Sequence, residues 1–175
     1  MPINMKDVIA DTFLKLAREK RIDKITVKEL VAHCGISRQT FYYHFKDMIE
    51  VIEWVIRKEG KRILQQSLQA DNEEQAICHL VSGIAENSDL LWKLLNSQKR
   101  ESVEQIVLDC VSTYLRETLL KQDPQIALRA TDAQMLLRFG TYGITGLLLE
   151  DCSKHHMDTE KLSAQIVQLY RLLRL

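Results

Sequence analysis

Apolar residues recur along most of this chain at the spacing of one face of an α-helix. After Asn4, a single stripe runs to about Lys20 and Arg21; its members are Met5, Val8, Ile9, Phe13, Leu16 and Ala17. Because residues three and four apart share a helix face, this stripe predicts a helix that packs on a core by one side. No stretch shows a convincing strand or hairpin pattern. The sequence therefore predicts an all-α protein.

The same spacing predicts more helices along the rest of the chain. A long helix is expected from Met48 to about Leu68, with Gly60 as a bend or a weak point. The later helices are predicted to begin at Asn72, Ser88, Glu101, Thr131 and Asp158 or Thr159. Pro124 is expected to end one helix or start the next. The long helix would connect an N-terminal region to the remainder of the chain.

Residues 26–47 predict two short helices joined by a tight turn. Thr26 and Glu29 form a capping box, in which each side chain can bind a free backbone N–H at the helix start. Gly35 stands where the helix must end in a left-handed conformation, and Ser37 can cap the helix that follows. Helix, glycine turn, helix is the helix-turn-helix arrangement, whose second helix enters the DNA major groove.

The second of these helices has one apolar face and one polar and aromatic face. Phe41 and Phe45, four residues apart, are predicted to be buried. In the first turn, Arg38 can pair with guanine, Gln39 with adenine, and Thr40 with a thymine methyl or a base edge. The side chains suited to phosphate contacts are Tyr42, Tyr43, His44 and Lys46. The alternative is a small helical hairpin with a solvated polar face.

The run TVKELVAHCGISRQTFYYHF resembles the N-terminal domain of TetR-family transcription regulators. The matching elements are Thr26, Gly35-Ile36-Ser37, Phe41-Tyr42 and His44-Phe45. The resemblance implies a three-helix DNA-binding head, residues 1–47, and a helical ligand-binding and dimerisation body, residues 48–175. The predicted DNA-binding residues are Thr26, Ser37, Arg38, Gln39, Thr40, Tyr42, Tyr43, His44 and Lys46.

Two positions depart from the family pattern. Gln39 replaces a small residue that is common there, and it could add a base contact. Met48 stands where a lysine usually opens the fourth helix. The phosphate contact of that lysine is therefore either missing or supplied by Lys46.

Charge is unevenly distributed although the formal net charge is zero. Residues 1–62 hold 13 Lys and Arg against 9 Asp and Glu, whereas residues 63–175 hold 11 against 15. The two parts carry about +4 and −4. A basic head and an acidic body favour DNA contact at one end of the protein.

Cysteine usage indicates a cytoplasmic protein without a disulfide framework. The four cysteines are far apart and form no CxxC pair; they are Cys34, Cys78, Cys110 and Cys152. We expect reduced, buried thiols, with redox sensing as the lesser alternative. The chain shows no signal peptide and no apolar run long enough to span a membrane, so no membrane association is expected.

Three glycines interrupt a strongly helical stretch at Gly140, Gly143 and Gly146. Each lowers helix stability by roughly 1 kcal/mol relative to alanine, so close approach of another backbone is a plausible compensation. In the resembled family the last two helices of each subunit form a four-helix dimer bundle. This implies a homodimer with its interface near residues 135–150 and 159–175, and ordinary packing within one chain is the alternative.

No catalytic, metal or cofactor site is predicted. The sequence lacks P-loop, GxGxxG, HExxH and GxSxG patterns. Cys152 with His155 and His156 could bind a metal ion, but adjacent histidines point to different sides of a helix. A solvated helix end is therefore the favoured interpretation of these three residues. An enzyme finds little support.

The family resemblance implies an effector pocket within the body. Candidates to line it are Trp54, His79, Trp92, Met135, Arg138, Phe139 and Tyr142, each of which could instead be plain core. The YYHFKD run, the nearby Trp54 and the Tyr-Gly-Ile-x-Gly segment resemble the subgroup of dihydroxyacetone-kinase regulators. The effector itself is not identified by the sequence.

These observations predict a homodimeric, sequence-specific transcription regulator that binds a palindromic operator in double-stranded DNA. The two heads would lie about one helical turn, ~34 Å, apart in successive major grooves. We expect a repressor released by a small-molecule effector. The first alternative is a co-regulator of the same fold, such as a co-activator, whose body binds a partner protein. The second is a helical enzyme or metal sensor.

Overall fold

A computed structural model of the chain describes residues 4–122, 130–153 and 158–173. Within these ranges the secondary structure is helical and contains no strand, which confirms the predicted all-α class. The helices are α1 Met5–Glu19, α2 Val27–Cys34, α3 Arg38–His44, α4 Met48–Leu68, α5 Glu73–Glu86, α6 Ser88–Leu95, α7 Arg100–Gln122, α8 Ala130–Ser153 and α9 Thr159–Leu173. A single 3-10 turn, Ile22–Lys24, connects α1 to α2.

The helix starts follow the capping residues that the sequence contains. Asn4 Oδ1 accepts a hydrogen bond from Lys6 N (3.1 Å) at α1, and Asn72 Oδ1 accepts one from Gln75 N (2.9 Å) at α5. The helix α4 runs through Gly60 without interruption. The start of α8 at Ala130 lies one residue before the predicted cap at Thr131. Pro124 lies outside the described residues.

The chain divides into two compact units by its contacts. The first, which we call the head unit, combines residues 1–58 with residues 90–106, and the second combines residues 59–89 with residues 107–175. The core of the head unit includes Ile9, Phe13, Leu16, Ile22, Leu30, Phe41, Phe45, Val51, Ile52, Leu94 and Val103, all buried. The inclusion of residues 90–106 was not predicted. The functional division into residues 1–47 and 48–175 stays a prediction.

The second unit is held together by close helix packing and by a small buried polar cluster. The helix α5 packs against α9. A Cβ atom at Gly83 would lie 2.5 Å from Ile63 Cγ1, so α4 and α5 approach too closely for a side chain there. Ser67 Oγ and Tyr114 OH both donate to Ala76 O, over 3.1 and 2.9 Å. Burial raises the pKa of the Tyr114 hydroxyl.

The helix α8 has one buried face and one exposed apolar face. Thr141, Ile144, Thr145, Leu148 and Cys152 are buried. The exposed apolar face, which we call the α8 stripe, consists of Met135, Leu136, Phe139 and Tyr142. A Cβ atom at Gly143 or Gly146 would meet no neighbouring side chain or helix of the described residues within 4 Å. Packing against the described part of the chain therefore does not account for these two glycines.

The expectation of buried thiols is wrong for three of the four cysteines. Cys78 is exposed, Cys34 and Cys110 are half-buried, and only Cys152 is buried; none forms a disulfide. Burial, aided by the nearby Asp151 charge, raises the pKa of the Cys152 thiol to about 11. Among the described residues no cluster of His, Cys, Asp and Glu could hold a metal ion. His155 and His156 lie outside them.

The described part of the chain contains no candidate for a membrane-spanning helix. None of the helices there combines the length and the apolar character that crossing a bilayer requires.

Candidate nucleic-acid interface

The first helix of the helix-turn-helix, α2, is fixed at its start by a capping box. Thr26 Oγ1 accepts a hydrogen bond from Glu29 N (3.3 Å). The Glu29 carboxylate in turn binds the Lys20 ammonium group, which ties the end of α1 to α2. The hydrogen bond from Lys20 is the main reason why the pKa of Glu29 lies below its ordinary value. A hydrogen bond from the Thr26 backbone N–H lowers this pKa further.

The turn between α2 and α3 depends on the left-handed backbone of Gly35. Its φ angle is 67°, a conformation that residues with a side chain rarely adopt. Gly35 N donates to Ala32 O (3.3 Å) and Ile36 N donates to Val31 O (3.1 Å). This pair of bonds is the Schellman motif, which satisfies the last carbonyls of α2 and sets the direction in which the chain enters α3.

The helix α3 is capped at its start and anchored along one face. Ser37 Oγ accepts from Thr40 N (3.0 Å) and lies 2.9 Å from Thr40 Oγ1. Phe41 and Phe45 are buried, with their ring centroids 6.1 Å apart. Because Thr40 is half-buried and its hydroxyl already contacts Ser37, it is less available to DNA than its neighbours.

The opposite face of α3 presents free polar and aromatic side chains. Arg38 and Gln39 are exposed, and within the described residues neither side chain makes a hydrogen bond or an ion pair. Tyr43 is 84% exposed and Tyr42 is 57% exposed, so both project from the protein. His44 is half-buried and packs edge to face against Tyr43, at 5.0 Å between ring centroids. This face can offer hydrogen-bond donors to bases and phosphates.

At the start of α4, two acidic side chains accept hydrogen bonds from nearby backbone N–H groups. Asp47 Oδ1 accepts from Glu50 N (3.0 Å), and Glu50 Oε2 accepts from Lys46 N (2.8 Å). Met48 is buried, so the residue that replaces the usual lysine serves the core. Lys46 Nζ lies 3.5 Å from Glu50 Oε1 with a side chain that is 88% exposed. Lys46 is therefore the accessible cation at this end of α4.

Two lysines that the sequence analysis did not select flank the capping residue of α2. Lys24 and Lys28 are exposed, and neither has an ion-pair partner among the residues that the structure describes. By contrast, the Lys20 and Lys46 side chains both contact carboxylates. The position of Lys24 and Lys28 close to Thr26 was the only sign of them in the sequence. A count of net charge does not identify them, because it does not separate free cations from paired ones.

Trp54, one of the pocket candidates, braces the head unit. Its Nε1 donates to Asp7 Oδ1 (3.3 Å), and its ring packs edge to face with Phe45 at 6.3 Å. Lys6 Nζ lies 4.8 Å from the centroid of the same ring. The Asp7 pKa is lowered, chiefly by a hydrogen bond from Lys58. These contacts account for Trp54 without a ligand.

The remaining pocket candidates are not enclosed together. Trp92 is half-buried and belongs to the head unit. The candidates of the second unit are all solvent-exposed in the single chain; they are His79, Met135, Arg138, Phe139 and Tyr142. An exposed side chain does not line a closed cavity of its own subunit, so the effector pocket stays a prediction.

Two family models match this chain and together cover most of it. Residues 9–53 match the family described as bacterial regulatory proteins, tetR family. Residues 71–171, more than half of the chain, match the family described as transcriptional regulator C-terminal region. The first match covers the helix-turn-helix described above.

Known proteins with this fold include both a transcriptional activator and a repressor. The chain is 21% identical over 164 residues to the HTH-type dhaKLM operon transcriptional activator DhaS of Lactococcus lactis subsp. lactis (strain IL1403), covering 93% of this chain and 86% of that protein. A solved structure of the dihydroxyacetone kinase operon activator DhaS superposes with a TM-score of 0.66 and 20% identity, over 94% of this chain and 92% of the other.

The TetR family repressor AlkX of Dietzia sp. strain DQ12-45-1b, implicated in biodegradation of n-alkanes, superposes with a TM-score of 0.58 and 14% identity, over 98% of this chain and 96% of the other. At these identities the structural similarity shows the shared fold alone, whereas the family models extend over both the head and the C-terminal region. The chain belongs to the TetR family of bacterial DNA-binding transcription regulators.

Proposed function

We propose that this regulator binds a palindromic operator as a homodimer and reads its sequence through Arg38 and Gln39 on α3. The observation that carries the proposal is the state of these two side chains. Both are exposed, and neither is paired with any residue that the structure describes; they stand at the start of a helix that Ser37 caps and Phe41 anchors. Donors held on a rigid helix can pair bidentately with a purine edge in the major groove.

Phosphate contacts would come from residues around this reading face. Tyr42, Tyr43, Lys46 and the newly identified Lys24 and Lys28 are exposed, and His44 lies half-buried beside Tyr43. Thr26 and Ser37 would act at the two helix starts, where free backbone N–H groups favour an anion. Thr40 would contribute less than its neighbours because of its contact with Ser37.

The α8 stripe supports the proposed dimer. Met135, Phe139 and Tyr142 are 67%, 58% and 62% exposed, although each is largely apolar. Positions 135, 139, 142 and 146 share one helix face, and Gly146 leaves that face open to close approach. A contiguous apolar surface of this kind usually marks an interaction site. Association of two chains through this stripe would give the dimer that a two-fold symmetric operator requires.

For the sign of regulation, we propose a repressor that a small-molecule effector releases from its operator, acting in the cytoplasm without catalytic activity. A specific observation favours a second candidate, an activator or co-regulator that binds a partner protein. DhaS is an operon activator, and the pocket candidates of the second unit are exposed rather than enclosed. DhaS is an activator and AlkX is a repressor although both have this fold, so the fold does not decide between the two candidates.

The decisive experiment is selection of bound duplexes from a random DNA pool. A recurrent two-fold symmetric motif is the expected result, and its affinity should fall steeply with salt because phosphate contacts release counterions. Arg38→Ala should relax the preference at one base position by about 1–3 kcal/mol. An equal loss on every sequence would assign Arg38 to phosphate, and an unenriched pool would contradict specific binding by the protein alone.

Transcription in vitro from a promoter that carries the selected motif then shows whether the protein represses or activates. A repressor lowers transcript yield, and a ligand that raises it again supports an effector site. If the protein raises the yield, or acts only with a second protein, the co-regulator candidate replaces the repressor.

A further inference from the structure

Two helices that begin in the head unit start with the same kind of cap. At α2, Thr26 Oγ1 accepts a hydrogen bond from Glu29 N, and the Thr26 backbone N–H donates to the Glu29 carboxylate. At α4, Asp47 Oδ1 accepts from Glu50 N over 3.0 Å, and Glu50 Oε2 accepts from Lys46 N over 2.8 Å. In both helices a glutamate carboxylate therefore lies beside backbone N–H groups that could otherwise bind an anion.

The cap of α2 is neutralised by a cation from another part of the head unit. The Glu29 carboxylate pairs with Lys20, which lies at the end of α1. Lys24 and Lys28, on either side of Thr26, are exposed and make no ion pair with the residues that the structure describes. Because Lys20 neutralises the glutamate, both of these lysines are available to DNA phosphates.

The cap of α4 is neutralised by the lysine that lies beside it. Glu50 Oε1 lies 3.5 Å from Lys46 Nζ, while Glu50 Oε2 accepts from the Lys46 backbone N–H. One carboxylate thus engages both the ammonium group and the backbone donor of a single residue. Met48, at the first position of α4, is buried and contributes no cation. Lys46, Asp47 and Glu50 together hold one positive and two negative charges.

The contacts of Glu50 are those that a DNA phosphate would make with Lys46. Carboxylates and phosphates both accept charge-assisted hydrogen bonds through two oxygens at once. The Lys46 side chain is 88% exposed, so DNA can reach its ammonium group, but the Glu50 carboxylate competes for the same donors. Exposed ion pairs of this kind are weak, so the competition lowers DNA affinity without preventing binding.

We propose that Glu50 limits the DNA affinity of the head by competing with operator phosphate for the two donors of Lys46. Glu50 is therefore a positioning residue that acts through Lys46. The start of α2, with Lys24 and Lys28 unpaired among the described residues, is the stronger of the two phosphate anchors. This inference deepens the proposed function and rests on it, because it concerns the same DNA-binding surface.

The test compares Glu50→Gln with Glu53→Gln in the full-length protein. Glutamine keeps an oxygen that can accept from Lys46 N, so the cap is retained while the charge is removed. Glu53 is the matched control because it lies on the same helix, is 37% exposed against 35% for Glu50, and pairs with Arg57 in the same i,i+4 arrangement. Both substitutions therefore remove one negative charge and break one ion pair.

Affinity is measured by fluorescence titration over a range of salt concentrations, on a duplex selected from a random pool and on a duplex of unrelated sequence. Glu50→Gln should raise affinity for both by about two- to fivefold at low salt, the effect of releasing one exposed ion pair. It should also steepen the slope of log K against log salt by about 1, because Lys46 gains a phosphate contact. Glu53→Gln should leave the slope unchanged. Damage to the start of α4 would lower affinity, so it cannot imitate the expected gain.

Glu50→Gln is then combined with Lys46→Gln. In this background Glu50→Gln should raise affinity no more than Glu53→Gln does, because its effect passes through Lys46. A gain that persists would assign Glu50 to general repulsion of DNA and overturn the competition. An affinity and a salt slope equal to those of Glu53→Gln would overturn it as well. If no variant binds either duplex, the proposed function itself is contradicted, and the inference about Glu50 fails with it.

Discussion

Trp54 Nε1 and Asp7 Oδ1 are joined by a 3.3 Å hydrogen bond although 47 residues separate them in the chain. The bond attaches α4 to the first turn of α1, beside the edge-to-face contact between Trp54 and Phe45. Because Phe45 also packs on Phe41 of α3, this cluster links α4 to α3, the helix that we propose faces DNA. Trp54 is thus better explained by the stability of the head than by a ligand.

Substitution Trp54→Phe should lower the free energy of unfolding. The smaller ring retains an aromatic contact but cannot donate to Asp7, and an intramolecular hydrogen bond of this kind contributes about 1 kcal/mol. Urea denaturation followed by circular dichroism measures the change. A variant as stable as the unmodified protein would show that the Trp54–Asp7 bond adds nothing to the head.

Acid should weaken the attachment of α1 to α4 through Asp7. The pKa of Asp7 lies below its ordinary value of 3.8, mainly because Lys58 donates a hydrogen bond to the carboxylate. A lowered folded-state pKa means that this contribution to stability is present above 3.8 and is lost as the pH falls through the lower folded-state value. Asp7→Asn should therefore unfold with a smaller pH dependence below 3.8 than the unmodified protein.

The measurement is the urea midpoint as a function of pH for the two proteins. Asp11→Asn is the control, because it removes an exposed carboxylate from the same helix without touching the contacts of Asp7 with Trp54 and Lys58. Parallel curves for Asp7→Asn and the unmodified protein would contradict the assignment.

The turn before α3 should not tolerate a Cβ atom at residue 35. Gly35 has a φ angle of 67°, where an ordinary residue loses about 1–2 kcal/mol, and the added Cβ would meet no non-adjacent atom of the described residues within 4 Å. Gly35→Ala should therefore destabilise the protein by backbone strain alone. Gly35→Asn is the matched comparison because asparagine adopts the left-handed conformation more readily. Equal losses for both variants would point to a cause other than backbone conformation.

Introducing a charge on the α8 stripe should separate the proposed dimer. Phe139 is 58% exposed in the single chain, so Phe139→Glu should fold normally but leave a carboxylate at an interface with no matching cation. Sedimentation equilibrium should then report a mass near 20.3 kDa, that of one chain. Thr113→Glu, on exposed α7 surface, is the control and should remain dimeric. A dimeric Phe139→Glu variant would place the interface elsewhere.

Lys28 should contribute to DNA affinity without contributing to sequence preference. Its side chain is exposed and has no ion-pair partner in the described part of the chain. Lys28→Gln should weaken binding to all duplexes alike and reduce the slope of log K against log salt by about 1, because one phosphate contact is lost.

Fluorescence titrations over a range of salt concentrations provide the slope. Lys61→Gln, an exposed lysine of the second unit, should leave it unchanged. A loss confined to the selected motif would instead make Lys28 a base-reading residue.

The sequence alone determined the all-α class, the positions of most helices, and the turn between α2 and α3. These features depend on interactions between residues only a few positions apart. The apolar spacing defines a helix face, Thr26 and Ser37 bind N–H groups within the next turn, and Gly35 supplies a backbone angle that its neighbours cannot. The matched pattern around them was also sufficient to indicate the family.

Tertiary structure decided what depends on residues far apart in the chain. The contact of Lys93 with α1 spans 76 positions, and no local pattern marks a surface lysine as the cap of another helix. Likewise, the apolar residues of α8 have a helical spacing that is compatible with either burial or exposure. Only packing showed that Phe139 and Tyr142 face outward while Ile144 and Leu148 face the core. Local spacing specifies that a face exists, and the arrangement of the other helices determines what covers it.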